Sequence, residues 1–349
     1  MRKNIRIKDI ALKAGVSIGT VDRVLHKRGE VSDETKARIQ QIIDELDYRP
    51  NLLASSLASK KSILFTTLMP KAVNADSYWS KPQLGVEKAM NQLKAYGVRI
   101  QQFYFEMDDS TSFSAEAEKL LLTFPDGVML APWAKREAIQ LTRKLDERKI
   151  PYIFIDANLQ ESHPAGFVVQ SSFDSGFLAA KLIDWGVKES SIILLIHVAR
   201  ESDNASHLLQ RERGFMRYFE EKKSNHQIIK MEISRCSDEI VTHLSEKGLD
   251  PCEVKGVFVT NSKVHLAADC FKTLCLAPKI IGYDLIPQNI MLLKEGKIDF
   301  LICQKPELQG FHSIQLLFDL IVKKEKIRKE NYTSIDLITK ENIDFYNSL

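Results

Sequence analysis

Apolar side chains recur at helical spacing in the first part of the chain. One set with the spacing i, i+3, i+4 and i+7 consists of Ile7, Ile10, Ala11 and Ala14. This spacing predicts a short helix with one buried face. Gly15 can adopt a positive φ and end that helix, and Ser17 can cap the next one. The second helix has its own apolar positions at Val21, Val24 and Leu25.

A third helix is predicted from Ser32 onward. Asp33 and Glu34 lie in its first turn, where the helix dipole favours negative charge. Its apolar face consists of Ile39, Ile42, Ile43 and Leu46. The three helices together predict a helix-turn-helix unit, in which the second helix enters the DNA major groove. Other three-helix bundles share this spacing, so the pattern alone leaves DNA binding open.

From Lys61 onward, short apolar runs alternate with helical patterns. Strands are predicted at Ile63–Met69, Val98–Phe105, Gly127–Ala131, Tyr152–Ile155, Gly166–Val169, Ser191–Val198, Ile228–Glu232, Gly256–Val259, Lys279–Tyr283 and Phe300–Cys303. Helices are predicted between them, at stretches such as Gln83–Tyr96, Lys135–Arg148, Ser175–Trp185, Gln210–Lys222, Lys263–Leu274 and Gln309–Lys323. Continuous apolar strands with crossover helices are typical of parallel sheets that are covered on both faces. Ten strands are too many for one small sheet. We therefore predict a small all-α head followed by an α/β body of two doubly wound lobes, with ligands beyond the carboxyl ends of the strands.

The distribution of charge separates the head from the body. Residues 1–61 carry 13 Lys and Arg against 8 Asp and Glu, whereas the remaining residues carry 36 against 38. A basic head on a slightly acidic body is what contact with DNA phosphates requires.

Composition indicates a globular protein in a reducing compartment. The chain is 44% apolar and 27% charged, and none of its apolar runs approaches the roughly 20 residues that span a bilayer. The first residues are charged, so we expect no signal peptide. The five cysteines form no CxxC pair and are Cys236, Cys252, Cys270, Cys275 and Cys303. We expect reduced, mostly buried thiols and a cytoplasmic location.

Residues 5–61 resemble the DNA-binding head of the lactose-repressor (LacI) family. The matching residues are Ile7-Lys-Asp-Ile-Ala11, Ala14-Gly-Val-Ser17, Thr20-Val21, Arg23-Val24, Val31-Ser32, Tyr48-Arg-Pro-Asn51 and Leu53-Ala-Ser-Ser-Leu-Ala58, followed by Lys60. The resemblance implies a homodimer on a pseudo-palindromic operator. It also implies DNA contacts from Ser17, Ile18, Gly19, Thr20, Asp22, Arg23, Asn51 and Leu57.

Two of these residues leave the operator sequence open. Ile18, with Gly19, occupies a position that usually carries base specificity, and it could touch a thymine methyl group. The alternative is burial, because Ile18 lies at helical spacing from Val21 and Leu25. Asp22 replaces a small hydroxyl residue, and it could accept from cytosine N4 or orient Arg23.

The segment 50–61 is predicted to be a hinge helix and linker. Asn51 is a plausible cap, and Leu53 with Leu57 forms a one-faced apolar pair. So short a helix is marginal alone in water. The resemblance implies that it orders on the operator and that Leu57 wedges into the minor groove. Ordinary packing in the linker is the alternative for Leu57.

The body, roughly 62–340, resembles the effector domain of that family, and more closely the periplasmic sugar-binding proteins typified by ribose-binding protein. The resemblance implies two lobes that exchange the chain near Ser171, Gln304 and Tyr332, with a ligand between them. The predicted division is a head at 1–49, a hinge at 50–61 and a bilobal, dimerising effector domain at 62–349. Within that domain, lobe 1 spans about 62–170 and 305–331, and lobe 2 spans about 171–304 and 332–349.

The same resemblance supplies a set of pocket residues. They lie beyond predicted strands and are Asp76, Tyr78, Trp79, Asp156, Arg211, Asn261, Asp284 and Gln304. Carboxylates, amides and a guanidinium can bind hydroxyls, and aromatic rings can stack on a pyranose or cyclitol. The family often has Arg after the residue that matches Asp156, whereas this chain has Ala157. Taken singly, an Asp could be a helix cap, Arg211 a surface charge and Trp79 a core residue.

Motifs for catalysis are absent from the sequence. It has no GxxxxGK[ST] loop, no HExxH, no GxSxG and no glycine-rich dinucleotide fingerprint. Histidines such as His197, His207 and His312 show no metal-ligand spacing, and we expect them to be surface or ordinary polar residues. We therefore predict a DNA-binding regulator, favouring a repressor, that responds to a sugar or cyclitol without cofactor or metal. A solute-binding protein and a sugar-acting enzyme are the alternatives.

Overall fold

A computed structural model of the protein describes residues 5–25, 28–46, 48, 62–107, 109–198, 206–234 and 238–346. The chain divides into a small N-terminal unit and a larger unit that begins at Ser62. The predicted hinge, including Asn51 and Leu57, lies outside the described residues. No helix in the described ranges is long and apolar enough to cross a membrane.

The N-terminal unit contains three helices, α1 (Ile7–Ala14), α2 (Ile18–Leu25) and α3 (Asp33–Glu45). Gly15 has a φ of 66° and ends α1, and the Ser17 hydroxyl accepts a hydrogen bond from the Thr20 N–H at 3.1 Å. The fully buried side chains of Ile10, Val21 and Ile39 bring the three helices together. The predicted three-helix head is therefore confirmed.

The larger unit contains two six-stranded sheets. Its strands in chain order are β1 (Ile63–Pro70), β2 (Val98–Phe105), β3 (Gly127–Leu130), β4 (Tyr152–Ile155), β5 (Gly166–Gln170), β6 (Ile192–Val198), β7 (Gln227–Ile233), β8 (Val254–Val259), β9 (Lys279–Tyr283), β10 (Phe300–Cys303), β11 (Glu330–Thr333) and β12 (Asp336–Ile338). The first lobe has the strand order β11-β5-β4-β3-β1-β2, and the second has β12-β10-β9-β8-β6-β7. All pairings are parallel except that of β12 with β10. Two doubly wound lobes are confirmed.

Helices cover both faces of each sheet. They are α4 (Ser80–Leu93), α5 (Ser110–Leu122), α6 (Lys135–Glu147), α7 (Ser172–Gly186), α8 (Ser206–Lys222), α9 (Asp238–Glu246), α10 (Val264–Thr273), α11 (Pro287–Lys294), α12 (Pro306–Ile321) and α13 (Ile343–Tyr346), with 3-10 turns at Lys94–Tyr96 and Pro251–Glu253. The strands inside each sheet are buried along most of their length, as parallel strands in such a layered fold must be, whereas the edge strands β2, β7, β11 and β12 are only partly buried.

Two helix pairs approach closely at glycines. In the second lobe, a Cβ on Gly176 of α7 would overlap the carbonyl oxygen of Arg211 in α8, and one on Gly214 would overlap the carbonyl oxygen of Phe173. In the first lobe, Gly85 of α4 lies against the backbone of α12 in the same way. The backbone that carries Arg211 is therefore fixed by direct contact between two helices.

The chain passes three times between the two sheets. The passages follow Gln170, Cys303 and Thr333, where β5, β10 and β11 end. The Gln170 side-chain amide donates to the carbonyl oxygens of Cys303 at 2.9 Å and Ser334 at 3.1 Å. One buried side chain therefore binds all three passages together.

The thiols differ from the expectation of mostly buried cysteines. Cys270 and Cys303 are buried, but Cys252 and Cys275 are exposed. Cys252 lies in the 3-10 turn before β8, and Cys275 follows the end of α10, so both belong to surface connections. Cys236 lies outside the described residues.

Candidate functional site

The N-terminal unit exposes four of the residues expected to contact DNA. Ser17, Ile18 and Gly19 are exposed at the start of α2, as is Arg23 near its end, whereas Thr20 and Asp22 are half-buried. The Ile18 side chain is 56% exposed, so the alternative that it is buried is wrong. Val21, three residues further along the helix, takes the core position. The first turn of α2 thus presents small side chains and one apolar side chain to the surroundings.

In the larger unit, a cavity of about 400 Å³ lies between the two lobes. It is lined by all eight pocket residues expected from the sequence, namely Asp76, Tyr78, Trp79, Asp156, Arg211, Asn261, Asp284 and Gln304. Four come from the first lobe, three from the second, and Gln304 from the passage between β10 and α12. These residues are far apart in sequence, and the parallel strands bring their carboxyl ends to one cleft.

On the first lobe, Tyr78 and Asp156 are joined by a hydrogen bond. The Tyr78 hydroxyl donates to Oδ1 of Asp156 at 2.7 Å. Asp156 follows β4 with a φ of 67°, and its N–H donates to the side chain of Gln309 at 3.0 Å. Left-handed backbone is uncommon for a residue with a Cβ and often marks a functional position. Burial, followed by the charges of Asp156 and Asp284, raises the pKa of Tyr78 well above its ordinary value, so the phenol stays protonated.

On the second lobe, Asp284 is a buried carboxyl with one unpaired oxygen. It follows β9 with a φ of 70° and is 4% exposed. Its Oδ2 accepts from the Gln304 side-chain amide at 2.8 Å, whereas Oδ1 is buried without a hydrogen-bond partner among the described residues. Burial raises the pKa of Asp284 from 3.8 to about 7, although the Arg211 charge opposes the shift. An unpaired buried oxygen is costly, so this one is a candidate to bind a ligand.

Arg211 is the only arginine among the fully buried large side chains of the described residues. Its Nη1 donates to the carbonyl oxygen of Thr260 at 2.6 Å and its Nη2 donates to Oε1 of Gln304 at 2.5 Å. Nε is buried without a partner within the described part of the chain. Arg211 therefore keeps at least one fixed, charged donor, the N–H of Nε, for a ligand.

Gln304 connects the two charged residues. Its oxygen accepts from Arg211 and its nitrogen donates to Asp284, so its amide orientation is fixed by both. The Gln304 carbonyl oxygen in turn accepts from the side chain of Gln309 at 3.0 Å. Gln309 thus ties the passage to Asp156 of the first lobe.

The remaining expected residues differ in how available their side chains are to a ligand. Asn261 donates to the carbonyl oxygen of Val198 at 2.6 Å and accepts from the Lys263 N–H at 3.1 Å, so its amide mainly shapes the loop after β8. Asp76 is exposed at the cleft. Trp79 is 5% exposed and packs edge-to-face against Tyr78 and Trp133. It lines the cleft and also belongs to the core of the first lobe.

Comparison with known proteins agrees with this architecture. Residues 6–51 match the lacI family of bacterial regulatory proteins, and residues 66–325 match the periplasmic binding protein domain. A chain from Bacteroides fragilis described as a LacI transcriptional regulator is 31% identical, with a TM-score of 0.75 over 82% of this chain and 100% of that one.

The chain belongs to the lacI family of bacterial regulatory proteins.

Two further relatives show how far the likeness extends. Catabolite control protein A of Staphylococcus aureus is 26% identical over 194 residues, which is 54% of this chain and 55% of that protein. The match thus spans about half the length of that curated relative. GanP, a glucose-galactose binding protein from Geobacillus stearothermophilus, is 19% identical with a TM-score of 0.70 over 81% of this chain and 99% of that chain, which shows a shared fold. The lacI family model describes bacterial regulatory proteins, which favours a regulator over the enzyme alternative.

In this lacI-family protein, a buried polar network behind the cleft was not expected from the sequence. The ring nitrogens of His197 contact the hydroxyl of Thr260 at 2.9 Å and the carboxylate of Glu212 at 2.8 Å. Lys230 pairs with the same carboxylate. His197 is 6% exposed, so of the two expectations for it the surface position is wrong, and it is a buried polar residue. The network holds Thr260, whose carbonyl oxygen in turn fixes Arg211.

Proposed function

We propose that this protein is a transcriptional regulator whose operator affinity is controlled by a small polyol bound between its two lobes. The observation that carries the proposal is the convergence of Arg211, Asp284 and Asp156 on one cavity. The unpaired Nε of Arg211 supplies a donor, and the unpaired Oδ1 of Asp284 supplies an acceptor. A ligand hydroxyl both accepts and donates a hydrogen bond, so it needs one of each. A cleft of this size with a few fixed polar groups suits a monosaccharide or cyclitol.

The N-terminal unit supplies the DNA-binding half of the proposal. Two such units in a homodimer would read the half-sites of a pseudo-palindromic operator, each with α2 in the major groove. The exposed first turn of α2 and Arg23 are the contacts we propose, and the basic charge of residues 1–61 supports phosphate binding. We place this activity in the cytoplasm.

The two halves would be coupled through closure of the lobes. A ligand that contacts Asp156 on one lobe and Arg211 on the other binds the closed arrangement better than an open one. Closure would then change the relative position of the two hinge segments, 50–61, in the dimer. A coupling free energy of about 1–3 kcal/mol is enough to change operator affinity by roughly 5- to 150-fold.

The experiment has two steps and uses the full chain. A thermal-shift screen against monosaccharides, their phosphates and cyclitols identifies a ligand, which at about 100 times its dissociation constant stabilises the protein by roughly 2.7 kcal/mol. Operator binding is then measured by gel shift with and without that compound. We expect the Asp284→Ala variant to lose the response to the compound. A flat screen, or the same operator affinity in both conditions, would contradict the proposal.

A further inference from the structure

The charges of Asp156, Asp284 and Arg211 inside the cleft balance only when one of the two carboxyls is protonated. Asp156 and Asp284 act on each other electrostatically, and the charged group that opposes them is Arg211. The same three residues are the charged groups that act on the Tyr78 phenol. With both carboxyls ionised, this set carries one net negative charge. Leaving such a charge without a counter-charge in a partly buried site is unfavourable.

Two other basic side chains on the lining, Lys71 and His265, do not supply the missing charge. The Lys71 ammonium pairs with Glu106 at 2.9 Å, and Lys263 is exposed. His207 and His265 also line the cleft. Burial lowers the pKa of His265 below its ordinary value of 6.5, so its ring is neutral at pH 7.

The unpaired atoms indicate where a counter-charge would bind. Oδ1 of Asp284 is a buried acceptor, and Oδ2 of Asp156 receives no hydrogen bond from the described residues. Arg211 cannot turn toward either of them without breaking its bonds to Thr260 and Gln304. A group that donates several hydrogen bonds and carries positive charge would satisfy both carboxylates at once.

The aromatic walls favour the same kind of group. Tyr78, Trp79 and Trp133 line the cleft on the side of Asp156. Aromatic faces attract cations as well as sugar C–H groups. An anionic ligand such as a sugar phosphate would meet the carboxylates of Asp156 and Asp284, which would repel it.

We propose that the effector is a polyol that carries an ammonium group, an amino sugar or aminocyclitol, with its nitrogen bound by Asp156 and Asp284. This inference rests on the proposed function of the cleft and specifies the class of ligand. The hydroxyls of such a compound would bind Nε of Arg211, and its ring would lie against the aromatic side chains.

Matched pairs of probes test the inference. Full-length protein is titrated calorimetrically at pH 7 with D-glucosamine against D-glucose, D-galactosamine against D-galactose, and aminated against plain pentoses and inositols. We expect an amino compound that binds at least tenfold more tightly than its neutral partner and than the N-acetylated form. A neutral compound that binds as tightly as its amine overturns the inference but leaves the proposed function standing. If none of the compounds binds, the polyol cleft itself is wrong.

Two variants assign the effect to a residue. Asp156→Asn keeps the shape and the contact with Tyr78, and we expect it to weaken binding of the amino compound at least tenfold while changing binding of the neutral partner less than threefold. Glu118→Gln, which removes an exposed carboxylate on α5, is the control and should change neither. Equal losses for the amine and the neutral compound in Asp156→Asn would show that Asp156 binds a hydroxyl and would overturn the inference.

Discussion

The guanidinium of Arg211 lies over the ring of Tyr283, with 3.7 Å between Cζ and the ring centroid. The Tyr283 hydroxyl is held in turn by Ser175 at 2.8 Å. The planar cation is therefore stacked on one side and hydrogen-bonded along one edge, while its buried Nε has no hydrogen-bond partner among the described residues. An ammonium group cannot reproduce this geometry.

We therefore expect Arg211→Lys to weaken binding of the effector by roughly 10- to 100-fold, the loss of one charge-assisted hydrogen bond. The measurement is calorimetric titration with the compound identified in the thermal-shift screen. Arg217→Lys is the control on the same helix, because Arg217 is 55% exposed and pairs with Glu221. An Arg211→Lys protein that binds with unchanged affinity would remove Arg211 from the site.

Asp284→Asn should stabilise the ligand-free protein at neutral pH. The pKa of Asp284 is about 7 in the native state and 3.8 as an ordinary Asp, so the native state binds more protons between these values. The contribution of Asp284 to the free energy of unfolding of the wild-type protein is therefore lost as pH rises from about 4 to 7. Asn has no proton to lose, so the advantage of the variant should grow over this range to at most about 4 kcal/mol.

Thermal unfolding of the two proteins at pH 4, 5.5 and 7.5 checks this expectation. The difference in midpoint should be small at pH 4 and several degrees at pH 7.5. The same variant should bind the effector poorly, because the charge at Oδ1 is gone. A difference that does not change with pH would show that Asp284 is ionised without penalty.

Gly176→Ala should damage both stability and ligand binding. Its Cβ would overlap the carbonyl oxygen of Arg211, so α7 and α8 must move apart. We expect a loss of at least about 2 kcal/mol in the free energy of unfolding. A fall in effector affinity of more than tenfold should accompany it, since the displaced backbone carries Arg211.

Gly186→Ala is the matched control for that variant. It lies in the same helix, but its Cβ would meet the Lys279 side chain, which can move aside. Denaturant unfolding and calorimetry on both variants separate the effects. If Gly176→Ala lost stability but bound the effector normally, the close helix contact would not position Arg211.

Ile18→Ala tests the DNA-contact surface of α2. Because Ile18 is 56% exposed, the change should leave the thermal stability of the N-terminal unit unaltered while lowering operator affinity roughly fivefold, the value of one small apolar contact. Fluorescence anisotropy with a labelled operator measures the affinity. Val21→Ala, at a fully buried position, should instead cost about 1–3 kcal/mol of stability. Unchanged DNA affinity in a stable Ile18→Ala protein would exclude the contact.

Much of the fold follows from local patterns. The ten apolar runs all form strands. Eight of them lie inside a sheet covered on both faces and must be hydrophobic along most of their length, whereas Val98–Phe105 and Ile228–Glu232 form edge strands in which buried and exposed positions are mixed. The two strands that the sequence did not predict, Glu330–Thr333 and Asp336–Ile338, are at sheet edges and are only partly buried. An edge strand has one neighbour and one open side, so it can be short and polar. Its position depends on the strand beside it rather than on its own residues.

The residues of the site also fall into those that the sequence could predict and those that it could not. Residues such as Asp156 and Asp284 could be found because each ends an apolar strand, where side chains face the cleft. Gln170, Gln309 and Trp133 could not, since their importance comes from contacts with segments more than fifty residues away. A glutamine in a helix or at a strand end has no sequence signal that distinguishes a surface side chain from one that bonds two passages of the chain.

The amide of Gln170 has a mechanical consequence for the molecule. It holds the passages at Cys303 and Ser334 beside its own, so the three connecting segments cannot slide past one another. We therefore expect relative movement of the lobes to be mainly a bending about an axis through these segments. Occupancy of the cleft would therefore favour rotation of one lobe relative to the other in a single direction.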